Sequence, residues 1–231
     1  MSQAEGLELI QKEGIWMRAG SGDEKAFTDV REQYNELKLY PDDVVLDLGA
    51  HIGCYICRYA LPAGVKHIFG IEPEPSNFSL LVKNCGDEPN VTLHQVAVAV
   101  KKGMANFYPS RTKNTLSGHF RPTRGRQVIQ VKCIAFKDML AWCKPTVIKI
   151  DIEGTELELD LGYLPATVRA LALEFHFPKP GELEIAEQLY SSIVDSGFEP
   201  SRELDFNDVG MINVRGNFMP RTILSTVFTR V

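Results

Sequence analysis

The sequence lacks any long apolar run. Hydrophobic residues make up 44% of its 231 residues, yet no stretch approaches the roughly 20 apolar residues that a membrane-spanning helix needs. The first residues, MSQAEGLELIQKEG, also lack the basic cluster and continuous apolar core of a signal peptide. We therefore expect no membrane span and predict a cytoplasmic protein.

The chain also lacks a regular cysteine framework. Its five cysteines are an odd number and are scattered along the chain, so a set of structural disulfides is not expected. Cys54 and Cys57 form a Cys-x-x-Cys pair, but they fall one helical turn apart on a predicted helix, where small buried thiols pack well. A thioredoxin-like redox function would need different surroundings.

Acidic residues are missing from one segment. Residues 89–137 contain nine Lys or Arg and no Asp or Glu, although the net charge of the chain is −5. Arg111 and Arg121 lie in the most basic part of this segment and are candidates for binding an anionic acceptor. The alternative is a solvated loop whose charge offsets an acidic body. Because the rest of the chain is acidic, nucleic acid is disfavoured as a partner.

The order of the predicted elements indicates a parallel α/β sheet. Apolar strands alternate with helical segments, and their nearly continuous apolar character fits a sheet covered by helices on both faces. A chain of this length fits one domain. The five predicted strands are DVVLDL (43–48), HIFGIE (67–72), VTLHQVAV (91–98), TVIKID (146–151) and ALALEF (170–175).

The pattern changes after Val98. MANFYP and QVIQVKCI alternate like antiparallel strands, which predicts a hairpin with a long polar loop inserted before the fourth parallel strand. A helix is predicted over residues 182–196, and MINVRG with TILSTVFTRV are predicted to form a closing antiparallel pair at the sheet edge. We divide the single domain into an N-terminal leader or cap (1–40), a cofactor-binding half (41–100), an inserted basic hairpin (101–137) and an acceptor-side half (138–231).

The first strand runs into a glycine turn that suits a nucleotide-like ligand. The turn reads Asp47-Leu-Gly49-Ala-His-Ile-Gly53 and opens a helix, so backbone N–H groups face a closely approaching ligand. The dinucleotide fingerprint is not met, which argues against a pyrophosphate. Glu72 ends the second strand, where a carboxylate binds a ribose. With Asp47 in the turn, the site favours an adenosine ligand with a positive charge, such as S-adenosylmethionine.

Further acids follow the fourth and fifth strands. Asp151 and Glu153 come directly after a buried strand, while Glu174 and His176 end the next one, at the edge where an open parallel sheet forms its ligand crevice. Asp151, Glu153 and His176 are the candidate catalytic residues, because carboxylates and imidazoles remove protons from alcohols. Lys149 and Glu174 are candidates for contacting the acceptor.

Two features of these acids stay open at this point. Glu156 begins a helix, where it is expected to favour the helix N-terminus. Asp151, Glu153, Glu174 and His176 together have the donor atoms of an oxygen-rich divalent metal site. Sequence spacing does not show that these four side chains converge, so the sequence assigns no metal.

The chain resembles the FkbM family of S-adenosylmethionine-dependent methyltransferases. The resemblance rests on VVLDLGAHIGCY, GIEPEPSNFSLLVKN and IKIDIEGTELELDLG, in that order, with His51 in place of the usual Asn. It implies a class I methyltransferase fold, Rossmann-like, whose seven-stranded and mostly parallel sheet has an antiparallel last strand. The leader GIWMRAGSGDEKAF resembles the family's segment before the core, which would fold over the cofactor cleft. The alternative is a simple edge hairpin with a glycine turn.

The resemblance also implies positions for the cofactor. The methionine end would lie against the glycine turn and the ribose against the second strand end, with adenine at the turn after the third strand. The residues so implied are Asp47, Gly49, Ala50, His51, Gly53, Glu72, Pro73, Gln95, Val96 and Ala97.

We therefore predict an S-adenosylmethionine-dependent methyltransferase that methylates a hydroxyl of a sugar or specialised metabolite. Oxygen is preferred because the known members of the family lean that way. The alternatives are N-methylation of a peptide or amide, 2′-O-methylation of RNA, and a binding module that keeps the fold without catalysis. The acceptor would be a small molecule, sugar or peptide, with an anionic group if the basic loop binds it.

Overall fold

A computed structural model describes residues 7–109, 118–122, 125, 127–177, 181–206, 211–214, 217–220 and 223–230. Fourteen strands are defined in these ranges, namely β1 Leu9–Lys12, β2 Ile15–Arg18, β3 Val44–Leu48, β4 His67–Ile71, β5 Val91–His94, β6 Ala97–Ala99, β7 Gly103–Phe107, β8 Ile129–Ala135, β9 Val147–Ile150, β10 Ala170–His176, β11 Phe198–Pro200, β12 Met211–Val214, β13 Asn217–Pro220 and β14 Ile223–Arg230. The helices are α1 Gly22–Gln33, α2 Pro75–Cys85, α3 Phe136–Cys143 and α4 Glu182–Asp195, with single helical turns at Ile56–Ala60 and Glu156–Glu158.

A seven-stranded sheet forms the centre of the molecule, in the order β11-β14-β10-β9-β3-β4-β5. β9, β3, β4 and β5 pair in parallel, as do β9 and β10. β14 runs antiparallel to both of its neighbours, β10 and β11. This confirms the predicted mostly parallel sheet with an antiparallel last strand.

Apolar layers cover both faces of the sheet. β3 sends Val45 into one buried cluster and Leu46 and Leu48 into the other, as the twofold side-chain period of a strand requires. Helices α1 and α2 contribute to the cluster around Val45, and helices α3 and α4 contribute to the opposite one. Because every strand in the middle is buried on both faces, the parallel strands read as continuous apolar runs.

The predicted third strand is two strands in two different sheets. β5 ends at His94, and the chain then leaves the central sheet before β6 begins at Ala97. β6 pairs in parallel with β8, which pairs antiparallel with β7 to make a small three-stranded sheet. The inserted hairpin is therefore confirmed, but residues 91–98 do not form the single strand that their apolar pattern predicted.

The C-terminal prediction needs a second correction. β12 pairs with β13 in a separate hairpin, and β14 lies within the central sheet between β10 and β11. The predicted pairing of MINVRG with the last strand is therefore wrong. β11 was too short to be recognised from the sequence. Among the described residues, no helix combines the length and the apolarity that crossing a bilayer demands.

The leader folds as a β1-β2 hairpin followed by α1. Ser21 begins the helix by accepting a hydrogen bond from the Asp23 amide, a common N-terminal cap. The backbone of Trp16 on β2 is hydrogen-bonded to α2. The Asn84 side chain accepts a hydrogen bond from the Trp16 backbone amide at 2.8 Å and donates one to the Trp16 backbone carbonyl at 2.9 Å. The leader is thus attached to the first helix that follows Glu72.

Candidate active site

The glycine turn after β3 lies directly against the segment after β9. The Gly49 and Ala50 amides donate to the Ile71 carbonyl at 3.0 and 2.9 Å, which ties the turn to the end of β4. Gly49 has φ +81°, and a β-carbon there would lie 1.8 Å from the Asp151 carbonyl oxygen. Only glycine fits this contact. The glycine turn (47–53), called the cofactor turn below, and the segment that begins at Asp151 therefore contact each other through their backbones.

Glu72 is buried at the tip of β4 and is held by the same turn. Its carboxylate accepts hydrogen bonds from the His51 amide at 2.9 Å and from the Glu74 amide at 3.0 Å. Burial raises the pKa of Glu72, and His51 and these amides oppose that shift. A carboxylate oxygen has two lone pairs, so Glu72 can still accept hydrogen bonds from the hydroxyls of a ribose.

The remaining predicted cofactor residues lie along the same edge of the sheet. Pro73 follows Glu72 directly, and Gln95 and Val96 connect β5 to β6, with Gln95 exposed and Val96 half-buried. Ala97 is buried at the start of β6. Because these segments continue from adjacent parallel strands, they lie at one rim with the glycine turn.

Asp47 and Lys149 form a buried ion pair between neighbouring strands. The Lys149 ammonium lies 3.0 Å from an Asp47 oxygen and donates to the Gly49 carbonyl at 2.7 Å. Burial raises the Asp47 pKa despite the nearby ammonium, whereas the nearby carboxylates raise the Lys149 pKa against the effect of its burial. Lys149, predicted to contact the acceptor, thus supports the cofactor turn, while its ammonium remains 3.9 Å from Asp151.

The leader contacts the glycine turn through the buried Asp23, which also holds the buried Arg18. The Arg18 guanidinium donates to both Asp23 oxygens at 2.7 and 2.9 Å and to Asn77 at 2.6 Å. His51 joins this group, because its Nε2 lies 3.3 Å from Asp23. Burial acts to raise the Asp23 pKa, but the contacts with His51 and Arg18 outweigh it and hold that pKa well below its usual range. The leader thus contacts His51 of the glycine turn, and its folding over a bound cofactor stays a prediction.

Four side chains converge at the carboxyl ends of β9 and β10. His176 Nε2 lies 3.9 Å from an Asp151 oxygen, 3.9 Å from a Glu153 oxygen and 3.5 Å from a Glu174 oxygen. His176 is buried, whereas the three carboxylates are partly accessible, with 16–29% of each side chain exposed. We call these four residues the acid cluster. The structure thus brings the predicted catalytic residues together.

Glu156 has a contact that the sequence did not predict. It is fully buried, and its carboxylate accepts hydrogen bonds from the His176 backbone amide at 2.7 Å and from His176 Nδ1 at 2.9 Å. Instead of facing a helix N-terminus, Glu156 fixes the imidazole ring. Its position three residues after Glu153 indicated a further acid near this strand end. The contact with His176 depends on residues 157–169, which return the chain to β10.

The ionisable groups of the acid cluster shift one another's pKa values. Burial and the neighbouring carboxylates raise the pKa of Glu153 to about 8 and that of Glu174 to about 7, against the attraction of His176. Burial acts to lower the His176 pKa, but the hydrogen bond to Glu156 and the surrounding carboxylates raise it to about 10. The cluster therefore holds excess negative charge and favours a proton or another cation at its centre.

One arginine of the basic hairpin contacts the backbone next to Glu153. Arg121 pairs with Glu182 at 3.0 Å and donates to the Gly154 carbonyl at 3.4 Å, next to Glu153. A β-carbon on Gly154 would lie 2.5 Å from this guanidinium. Arg121 thus lies beside the segment that carries Glu153, and its binding of an acceptor stays a prediction. Arg111, the other predicted acceptor contact in the hairpin, lies outside the described residues.

The strand order and the position of the glycine turn define a class of protein. A seven-stranded sheet with an antiparallel strand between the fifth and sixth parallel strands, and with a glycine turn after the central strand, is the class I methyltransferase fold. The methyltransferase FkbM domain matches residues 47–200, which is most of the chain. The chain therefore belongs to the FkbM methyltransferase family, whose methyl donor is S-adenosylmethionine.

Two curated relatives are methyltransferases. The hexuronic acid methyltransferase AglP of Haloferax volcanii is 30% identical over 141 residues, covering 58% of this chain and 56% of that protein. The 2-O-methyltransferase NoeI of Sinorhizobium fredii is 24% identical over 152 residues, covering 58% of this chain and 62% of that protein. The matched regions thus span about three fifths of each relative.

Solved methyltransferase structures are more distant. The precorrin-6y C5,15-methyltransferase of Geobacter metallireducens is 15% identical, with a TM-score of 0.47, and the alignment covers 87% of this chain and 86% of that one. This likeness is too loose to carry a functional argument.

Proposed function

We propose that this protein transfers the methyl group of S-adenosylmethionine to a hydroxyl group of a sugar. One observation carries the proposal: the cofactor turn and the acid cluster touch at Gly49 and Asp151, where a β-carbon would lie 1.8 Å from the carbonyl oxygen. A methyl donor bound on the turn would therefore face an acceptor held by the cluster. Positioning of this kind accounts for about 7–11 kcal/mol of a barrier.

The residues of the turn fit the cofactor. Glu72 would accept hydrogen bonds from the ribose hydroxyls, and the Gln95–Ala97 connection would border the adenine. The methionine end would lie along Gly49–Gly53, where the backbone leaves room for close approach. The Asp47 carboxylate lies beneath this turn and is paired with the Lys149 ammonium at 3.0 Å. The opposite charges of Asp47 and Lys149 balance each other, so the pair stabilises the turn.

The acid cluster would bind and deprotonate the acceptor. Asp151 orients the hydroxyl toward the methyl group, and Glu174 takes its proton, because a base with a pKa of about 7 is matched to neutral pH. The acceptor oxygen then forms a bond to the methyl carbon as the carbon–sulfur bond breaks. The electron pair of that bond returns to sulfur and leaves S-adenosylhomocysteine.

Two observations favour a sugar acceptor with an acidic group. One relative is a hexuronic acid methyltransferase and the other is a 2-O-methyltransferase. Arg121 lies beside Gly154 at the rim of the acid cluster and has the planar donor geometry that binds a carboxylate. An acceptor carboxylate would compete with Glu182 for this guanidinium.

Calorimetry with S-adenosylmethionine tests the cofactor half of the proposal. We expect one site per chain and at least tenfold weaker binding for Glu72→Gln, because ribose hydrogen bonds to a carboxylate contribute about 1.5–3 kcal/mol. Glu88 is an exposed carboxylate that follows α2, the helix after Glu72. Glu88→Gln should therefore bind S-adenosylmethionine like the unchanged chain. Absence of binding, or equal binding by Glu72→Gln, would remove the basis of the proposal.

Methyl transfer to a panel of uronic acids, neutral sugars and peptides tests the acceptor half. Labelled methyl should appear on oxygen of a uronic acid or another sugar. Asp151→Asn should retain cofactor binding but lose at least 100-fold in transfer rate, a loss of about 2.7 kcal/mol or more. Transfer to peptide nitrogen, or full activity of Asp151→Asn, would contradict the assignment.

A further inference from the structure

We propose that Asp151, Glu153 and His176 bind one divalent cation, with Mn²⁺ as the best match. The inference rests on the proposed function, because the cation would hold the acceptor oxygen beside the methyl donor. One donor atom from each side chain can be chosen so that the three atoms lie within 4.8 Å of one another. Two donors follow β9 and one ends β10, so the sheet fixes both sides of the site.

The imidazole provides evidence beyond a cluster of acids. His176 has only 6% of its side chain exposed, and its Nδ1 is held by Glu156 at 2.9 Å. This contact directs Nε2 into the acid cluster, toward oxygens of Asp151, Glu153 and Glu174. A divalent cation bound here would replace the proton on Nε2, because histidine binds metals as the neutral imidazole. The contact with Glu156 is also the arrangement that orients metal-binding histidines.

The distances match a coordination shell better than a set of hydrogen bonds. His176 Nε2 lies 3.9 Å from both Asp151 and Glu153, beyond the roughly 2.7–3.2 Å of a hydrogen bond. A cation bound at about 2.0–2.4 Å would place neighbouring donor atoms roughly 3–4 Å apart. The observed separations thus leave room for an ion at the centre.

The surrounding charge favours a divalent ion. Glu174 adds a third partly accessible carboxylate 3.5 Å from the imidazole, and Glu156 adds a buried one behind it. Lys149 lies 3.9 Å from Asp151 but is already paired with Asp47. Two carboxylates and one imidazole suit Mn²⁺, because carboxylates favour hard cations and imidazole favours transition metals. Glu174 then remains available as the base.

Mn²⁺ titration of the full chain, followed by electron paramagnetic resonance, tests the site. We expect one saturable site and at least tenfold weaker binding for Glu153→Gln and for Asp151→Asn. Glu158→Gln changes an exposed carboxylate two residues from Glu156 and should bind Mn²⁺ like the unchanged chain. Pulsed electron paramagnetic resonance should detect coupling between the bound Mn²⁺ and one imidazole nitrogen.

Three results would overturn the inference: no saturable binding, equal binding by Glu153→Gln, or no nitrogen coupling. Calorimetry with S-adenosylmethionine on the same samples separates this inference from the proposed function. If the cofactor binds and Mn²⁺ does not, the metal site is wrong and the proposed function stands. If the cofactor does not bind, the proposed function fails whatever the Mn²⁺ result.

Discussion

Gly49 allows two neighbouring strand ends to approach within backbone contact. Gly49→Ala would add a β-carbon 1.8 Å from the Asp151 carbonyl at φ +81°, so the two segments would have to separate. We expect a loss of more than about 3 kcal/mol in the free energy of unfolding, measured with urea. At Gly64, φ is +68° and no other atom would lie within 4 Å of an added β-carbon. Gly64→Ala therefore introduces backbone strain without a clash.

Gly64→Ala should therefore cost about 1 kcal/mol. Equal losses at Gly49 and Gly64 would show that the close approach to Asp151 is not a constraint.

Asp23 stabilises the leader through its ion pair with buried Arg18. Asp23→Asn leaves that guanidinium without its counter-charge, so we expect a loss of about 3–5 kcal/mol at pH 7 in urea unfolding. Asp29→Asn, an exposed carboxylate on the same helix, should cost less than about 0.5 kcal/mol.

The pH dependence of this difference follows from the lowered pKa of Asp23. A lowered folded-state pKa contributes stability above the unfolded value of about 3.9, and this stability is lost as pH falls toward the folded value. The stability advantage of the unchanged chain over the Asp23→Asn variant should therefore shrink by about 1 kcal/mol between pH 5 and pH 3. A difference that does not change with pH would contradict the ion pair.

At the scale of elements, the basic hairpin is positioned to act on the acceptor. Arg121 connects it to Glu182 at the start of α4 and to Gly154 beside the acid cluster. Arg121→Ala should raise the KM for an acidic acceptor about tenfold and leave S-adenosylmethionine affinity unchanged, because the cofactor turn is on the other side of Asp151. Steady-state kinetics with calorimetry measures both.

Lys101→Ala is the matched control for the hairpin. Lys101 is an exposed cation in the turn between β6 and β7 of the same small sheet. It should leave KM unchanged. A fall in kcat without a change in KM for Arg121→Ala would mean that this arginine does not bind the acceptor.

Some elements could be predicted from the sequence because local pattern and tertiary position agree. β3, β4 and β10 are short, continuous apolar runs, and burial on both faces explains that composition. Residues 91–98 were predicted as one strand, but pairing partners decide where a strand ends, and β5 pairs with β4 whereas β6 pairs with β8 in a different sheet. The insertion of β14 between β10 and β11 likewise depends on long-range pairing.

At the scale of the whole molecule, the site could be predicted in part for the same reason. Parallel strands bring their carboxyl ends to one rim, so Glu72, Asp151 and His176 could be assigned to it from their places at strand ends. Glu156 could not, because its contact with His176 forms only after residues 157–169 return to the sheet. The role of Lys149 beneath the turn required knowledge of its pairing with Asp47.

A crystal structure of the full chain with bound S-adenosylhomocysteine tests the central claim most directly. We expect the ribose hydroxyls within hydrogen-bond distance of Glu72 and the sulfur above the Gly49–Asp151 contact, facing the acid cluster. A ligand bound away from the glycine turn, or a sulfur that faces away from Asp151, would contradict the account.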